Sequence, residues 1–173
     1  MPTTTKITPC LWFDNQAEEA AKFYTGIFRN SRITSTTRYS TAGQETHRKP
    51  PGSVMTVEFD LDGATFTALN GGPDFKFNEA ISLQVRCADQ KEIDYFWDKL
   101  GAGGDPKAQV CGWLKDRFGV SWQVIPKDVE EFYKDEESPG AKAAMEAMMK
   151  MKKIDIGTMR EAYDNAVEHV GSR

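Results

Sequence analysis

Cys111-Gly-Trp-Leu-Lys-Asp-Arg-Phe-Gly-Val-Ser-Trp-Gln-Val-Ile-Pro126 reads as two short strands joined by a tight turn. Trp113 and Leu114 close the first strand, and Asp116 to Gly119 make the turn. Val120 to Ile125 form the second strand, which Pro126 ends because it has no N–H for a ladder. Alternation puts Val120, Trp122 and Val124 on one face and Ser121, Gln123 and Ile125 on the other. A polar residue in mid-strand, turned away from the core side, is the mark of a lined pocket or of a half-solvated antiparallel strand.

Working outward, the same pattern occurs earlier in the chain. Gly63-Ala-Thr-Phe-Thr-Ala-Leu69 aligns without a gap on Gly119-Val-Ser-Trp-Gln-Val-Ile125. Asn15-x-x-Glu18 followed by Phe23 aligns on Asp89-x-x-Glu92 followed by Trp97. The chain is therefore a duplication.

Each copy runs strand, helix, then hairpin-connected strands. In the first copy, residues 6–13 form a strand with Leu11 and Phe13 on one face. Asn15 caps a helix whose stripe is Ala20, Phe23, Tyr24, Ile27 and Phe28. A Thr-rich strand over 32–39 and a long loop over 40–53 follow, the loop being the expected mobile segment. Strands 54–61 and 64–69 then pair around Asp62-Gly63. In the second copy, Ile81, Leu83 and Val85 alternate with Ser82, Gln84 and Arg86 as a strand. Asp89 caps a helix with Ile93, Phe96, Trp97 and Leu100 as its stripe, and a strand over 107–114 leads into the hairpin. Beyond the repeat, Ser138-Pro139 starts a helix with Ala141, Ala144, Met145, Met148 and Met149 on one side. Asp155 starts another, carrying Ile156, Met159, Tyr163, Ala166, Val167 and Val170.

Composition excludes several classes. The chain has 173 residues and a net charge of −4, with no basic face to hold nucleic acid or anionic membrane. No apolar run spans a bilayer and no leader is read at the N-terminus, so the expected location is cytoplasmic. Cys10, Cys87 and Cys111 lack CxxC spacing and read as reduced thiols. With only His47 and His169, a histidine-rich metal site or a Ser–His–Asp triad has almost no material.

A duplicated βαβββ unit with these residues resembles the vicinal oxygen chelate superfamily of glyoxalase I, bleomycin-resistance proteins and extradiol dioxygenases. More narrowly it is similar to the PhnB-like branch, often labelled 3-demethylubiquinone-9 3-methyltransferase. The resemblance is carried by Ile7 to Phe13, Ala20 to Tyr24, Leu69 to Pro73, Phe77 to Leu83 and Cys111 to Pro126. It implies an α+β fold: duplicated βαβββ modules, about 6–72 and 79–126, forming an incomplete barrel around a cleft. They make up a glyoxalase-like domain over 1–130, with a C-terminal helical extension over 131–173.

Metal-dependent members place His and Glu ligands on the first and last strands of each unit. Carried across by strand and repeat, those positions fall on Thr8, Thr67, Ser82 and Gln123, none of them His, Asp or Glu. Hydroxyls and one amide are poor ligands for a first-row divalent ion, so neither metal nor other cofactor is expected. The one Gly-rich candidate for the labelled methyl transfer, Leu100-Gly-Ala-Gly-Gly-Asp105, follows a helix rather than a strand.

The repeat assigns Thr8, Cys10, Trp12, Thr65, Thr67, Ser82, Gln84, Arg86, Ser121 and Gln123 to the cleft face. Of these, Trp12, Thr67, Ser82, Gln84 and Gln123, together with Trp113, are the candidate ligand-binding residues: two aromatic stacking surfaces and hydrogen bonds of both signs. Cys111 reads as a small buried hydrophobe rather than a nucleophile. Two functions follow. One is a metal-independent protein binding a small organic molecule in the cleft. The other is a superfamily enzyme, of lyase, isomerase or dioxygenase type or the labelled methyltransferase, whose catalytic groups the residues do not name. A homodimer is expected, as is usual among proteins that look like this one, with the Met-rich tail as a shared surface.

Overall fold

Side-chain alternation becomes two separate sheets in the computed structural model, which describes residues 6–171, without the side chains of the last two. The chain divides into units of residues 1–77 and 78–173, each with its own sheet and packed helix. Among the described residues no helix is long and apolar enough to cross a membrane.

The first unit holds β1 (Cys10–Phe13), α1 (Ala17–Ile27), β2 (Arg32–Arg38), α2 (Gln44–His47), β3 (Val54–Leu61) and β4 (Ala64–Asn70). Its sheet runs β1-β4-β3-β2, with β1 parallel to β4 and the other pairs antiparallel. Asp62 and Gly63 both take positive φ, as a two-residue hairpin turn needs. Leu11, Phe13, Val57, Phe59, Leu61, Phe66 and Ala68 are buried on the helix side, against Ala17, Ala20, Ala21, Tyr24 and Ile27 of α1. Burial of each large side chain here stabilises the unit by about 1.5–3 kcal/mol.

Three expectations change in this unit. The first strand starts only at Cys10; residues 7–9 lie outside it, although Pro9 still accepts the Thr67 N–H. The long loop contains α2, held at the Tyr39 ring by His47, 4.5 Å between centroids. Asn15 does not cap α1: Gln16 stands at the cap without a side-chain bond. The acceptor comes from across the sheet, where Asn70 Oδ1 takes the Ala17 N–H at 2.8 Å. Asn70 Nδ2 donates to the Val54 carbonyl, and the Asn70 carbonyl accepts from the Tyr39 hydroxyl. One buried residue, through its amide and its carbonyl, thus joins the helix start, the hairpin and the loop.

The second unit holds β5 (Leu83–Cys87), α3 (Gln90–Gly101), β6 (Trp113–Lys115), β7 (Ser121–Pro126), α4 (Pro139–Met149) and α5 (Ile156–Gly171). Its sheet runs β5-β7-β6, repeating β1-β4-β3 in kind. Asp89 caps α3 as read, accepting the Glu92 N–H at 2.9 Å while Glu92 accepts from Ala88. Ile93, Trp97 and Leu100 bury against Val85, Cys87, Leu114, Trp122 and Val124. Ile81 was expected in the strand face but lies ahead of β5 and is exposed.

Of the strand expected over 107–114, only Trp113 and Leu114 are realised, as the start of β6. A single 3-10 turn, Pro106–Ala108, takes its first part. Cys111 and Gly112 then adopt positive φ, which no strand accommodates. Their N–H groups donate to the carbonyls of Met151 and Lys152, so the segment joining α4 to α5 supplies partners that a fourth strand would have given. The tail therefore belongs to this unit's packing. Ile154 and Met159 are fully buried, and α4 and α5 approach at Gly140, where a Cβ would sit 2.8 Å from the Tyr163 ring. Met159 and Tyr163, expected on a shared outer surface, are used inside; Met145, Met149 and Val167 stay exposed.

Candidate functional site

Helices cover one face of each sheet, and the other face carries the polar residues. On the second sheet the register sets Gln84 beside Gln123, Gln123 opposite Trp113, and Ser121 opposite Lys115. What holds this register is Asp116, a buried carboxylate in the turn. Its Oδ1 accepts from the N–H groups of Phe118 and Val120, and its Oδ2 accepts from the Trp122 indole N–H at 2.8 Å. With Trp122 tied toward the helix side, Ser121 and Gln123 must face the open side.

Gln123 is the hub of that face. Its Nε2 donates to the Ser82 hydroxyl at 2.8 Å, and its Oε1 accepts from Gln84 Nε2 at a long 3.4 Å. Ser82, Gln84, Trp113 and Gln123, four of the six candidate residues, thus share one patch. Gln84 is exposed, while Trp113 and Gln123 are half-buried. Arg86, two residues along β5, donates to the Lys127 carbonyl and pairs with Glu130 at 2.8 Å, turning away toward the strand end. Lys115 pairs with Glu79, a hydrogen bond that holds the Glu79 carboxyl below its ordinary range. Ile125 and Ser121, on the same face, are buried.

On the first sheet the open face carries Cys10, Trp12, Thr65, Thr67 and Leu69, with Thr56, Glu58 and Asp60 of β3 opposite β4. Thr67 stands in a row between Cys10 and Glu58. Trp12 donates its indole N–H to the Gly72 carbonyl at 2.9 Å and meets Phe75 edge-on at 4.9 Å. Its ring lies against Gly71, where a Cβ would come within 2.2 Å. Trp12 therefore offers apolar ring surface, its polar atom being already used. Burial pushes the Cys10 thiol up.

Glu58, Asp60, Lys115 and Asp116 escaped the sequence reading. The signal for the first two was present: the turn at Asp62-Gly63 sets the register, which turns Glu58 and Asp60 toward the side of Thr67 and Thr65. Asp116 had no such signal, since a turn aspartate gives no hint that it is buried.

The histidines are engaged in local structure. His47 accepts the Lys49 N–H at Nδ1 and bonds the Ala42 carbonyl at Nε2, and His169 bonds the Asn165 carbonyl. Among the described residues no group of three or more His, Cys, Asp or Glu converges. Thr67, Ser82 and Gln123, where the resemblance expects ligands, present hydroxyls and an amide, the last two bonded to each other. This donor set does not fit a resident first-row divalent ion.

The family model described as 3-demethylubiquinone-9 3-methyltransferase matches residues 5–125, ending before the tail. A solved PhnB protein from Bacillus cereus, whose description carries the same methyltransferase name, is 36% identical. That match covers 70% of this chain and 99% of that one, with a TM-score of 0.59. A Staphylococcus aureus protein is 32% identical over 70% of this chain and 97% of its own, with a TM-score of 0.31. Protein PA1353 from Pseudomonas aeruginosa shares the fold, at 17% identity, 71% and 98% coverage, and a TM-score of 0.53. None of the curated proteins compared with the chain matches it.

Proposed function

The chain belongs to the PhnB-like family described as 3-demethylubiquinone-9 3-methyltransferase, and on that premise we propose that the open face of its second sheet binds a small organic molecule without a resident metal. The observation that carries this reading is the Ser82–Gln123–Gln84 network beside Trp113. Amides that donate and accept, next to a half-buried indole, suit an uncharged polar group on a flat apolar body. A resident Lewis acid has no fitting ligands here, so no step is routed through one.

The methyltransferase name meets a physical obstacle in the glycine run. Leu100 to Asp105 leaves the end of α3, and a Cβ on Gly104 would lie 2.1 Å from the Lys115 carbonyl. Gly104 thus serves close packing against β6, and the run ends a helix rather than forming a cofactor loop after a strand.

A ligand-observed NMR screen of polar fragments, run on wild type and Gln123→Leu, tests the reading. Expected is a set of fragments whose affinity falls about tenfold in the variant, roughly 1.4 kcal/mol, while its melting temperature holds. Fragments that bind both proteins equally would place binding elsewhere. In parallel, divalent metals and chelator should move the melting temperature by no more than about 1 °C, since a metal binding only the native state stabilises it by mass action.

The homodimer is proposed on the remaining apolar surface of the tail, where Met145, Met149 and Val167 stay exposed. A self-complementary contact over this patch would bury it on both copies. Sedimentation at micromolar concentration checks this, with a monomer contradicting it.

A further inference from the structure

Ser121 opens β7 on the open face of the second sheet and is 2% exposed. Its Oγ is buried with no hydrogen-bond partner among the described residues. Buried hydroxyls in folded proteins are normally paired, so this one keeps an unused donor. Directly opposite is Lys115, whose side chain is 27% exposed and paired with Glu79. Glu79 lies in the turn ahead of β5 and is itself largely exposed, so a carboxylate already rests on Lys115 from the solvent side. Trp113 follows on the same face, one cross-strand pair along.

These observations combine an unused donor, a cation currently neutralised by an exposed carboxylate, and a flat ring. We infer that Ser121 and Lys115 form the anion end of the site and that its ligand class is a flat organic carboxylate, which displaces Glu79 from Lys115. The inference rests on the small-molecule reading above and narrows it. Ser121 donates to one carboxylate oxygen, Lys115 pairs with the carboxylate charge, and Trp113 flanks the flat body. Glu79 acts as an internal competitor that keeps Lys115 paired when the site is empty.

Sodium benzoate and its neutral isostere benzamide are the probes, titrated by calorimetry into full-length wild type, Lys115→Met, Glu79→Gln and Ser121→Ala. Wild type is expected to prefer benzoate by about tenfold, a preference that Lys115→Met removes. Glu79→Gln should tighten benzoate several-fold and leave benzamide unchanged. Ser121→Ala should weaken benzoate by roughly three- to tenfold while thermal stability holds or rises, because it removes a hydroxyl that has no partner. Equal binding of the two probes, or benzoate binding that ignores Lys115→Met, overturns the inference. If benzamide still binds in a Gln123-dependent way, the broader reading survives that result. Failure of both probes also overturns it, and the fragment screen alone then judges the broader reading.

Discussion

Removing the Asp116 carboxylate leaves two backbone N–H groups and the Trp122 indole N–H without acceptors in a buried place. Each orphaned donor costs about 1–3 kcal/mol, so Asp116→Ala should lose about 3 kcal/mol or more in urea unfolding. A loss under about 1 kcal/mol would show that the turn does not depend on this clamp. Gly71→Ala forces the Trp12 ring away, because three indole atoms lie within 2.5 Å of the new Cβ. The expected cost is about 1–3 kcal/mol, with a change in near-ultraviolet circular dichroism. Cys87 is fully buried, and its thiol is pushed up to about 12 by desolvation, with the charges of Glu92 and Asp89 adding to it. Above pH 9 the unfolded chain loses this proton while the native chain keeps it. Stability should therefore fall by up to about 1.4 kcal/mol per pH unit between about pH 9 and 12, and Cys87→Ala should flatten that slope.

The two helix starts give the clearest contrast at the scale of elements. Asp89 and Glu92 cap α3 in a local four-residue pattern, and such patterns are legible because donor and acceptor are neighbours in sequence. Asp89→Ala is expected to cost about 1 kcal/mol. The same pattern at Asn15 misled, since the α1 start is served by Asn70, 53 positions away from Ala17. Asn15→Ala should change stability by less than about 0.5 kcal/mol, whereas Asn70→Ala orphans both the Ala17 N–H and the Val54 carbonyl and should cost about 2–4 kcal/mol. Urea midpoints of the two variants decide between the caps. Strands were legible for a similar reason: alternation is a local property, and it placed Leu11, Phe13, Phe66, Trp122 and Val124 on the buried sides. The missing fourth strand of the second sheet was not legible, because its backbone partners come from residues 151 and 152. The candidate site divides along the same line. Strand parity put Gln84 and Gln123 on one face, the pairing that brings Trp113 to it comes from the hairpin register, and nothing in the sequence distinguished Trp12, whose indole N–H is held by Gly72, from a free aromatic.

For the whole molecule, the C-terminal segment is structural before it is anything else. Gln90 of α3 donates to the Ile154 carbonyl and accepts the Ile156 N–H, and Ile154 packs against Gly112. Deleting residues 138–173 should therefore destabilise the second unit and raise the alkylation rate of Cys111, read by mass spectrometry against full-length protein. The family match covers the repeat, residues 5–125, and this segment lies outside it. The second sheet carries a polar open face, and the proposal that this face holds an organic ligand without metal can be put to one direct measurement. Protein purified without added metal is weighed intact under native conditions, then weighed again after denaturation, with metal analysis of the same sample. The expected result is either the bare chain mass or an organic adduct that denaturation releases, with metal far below one per chain. Stoichiometric zinc, nickel or iron that disappears in Gln123→Ala would contradict it.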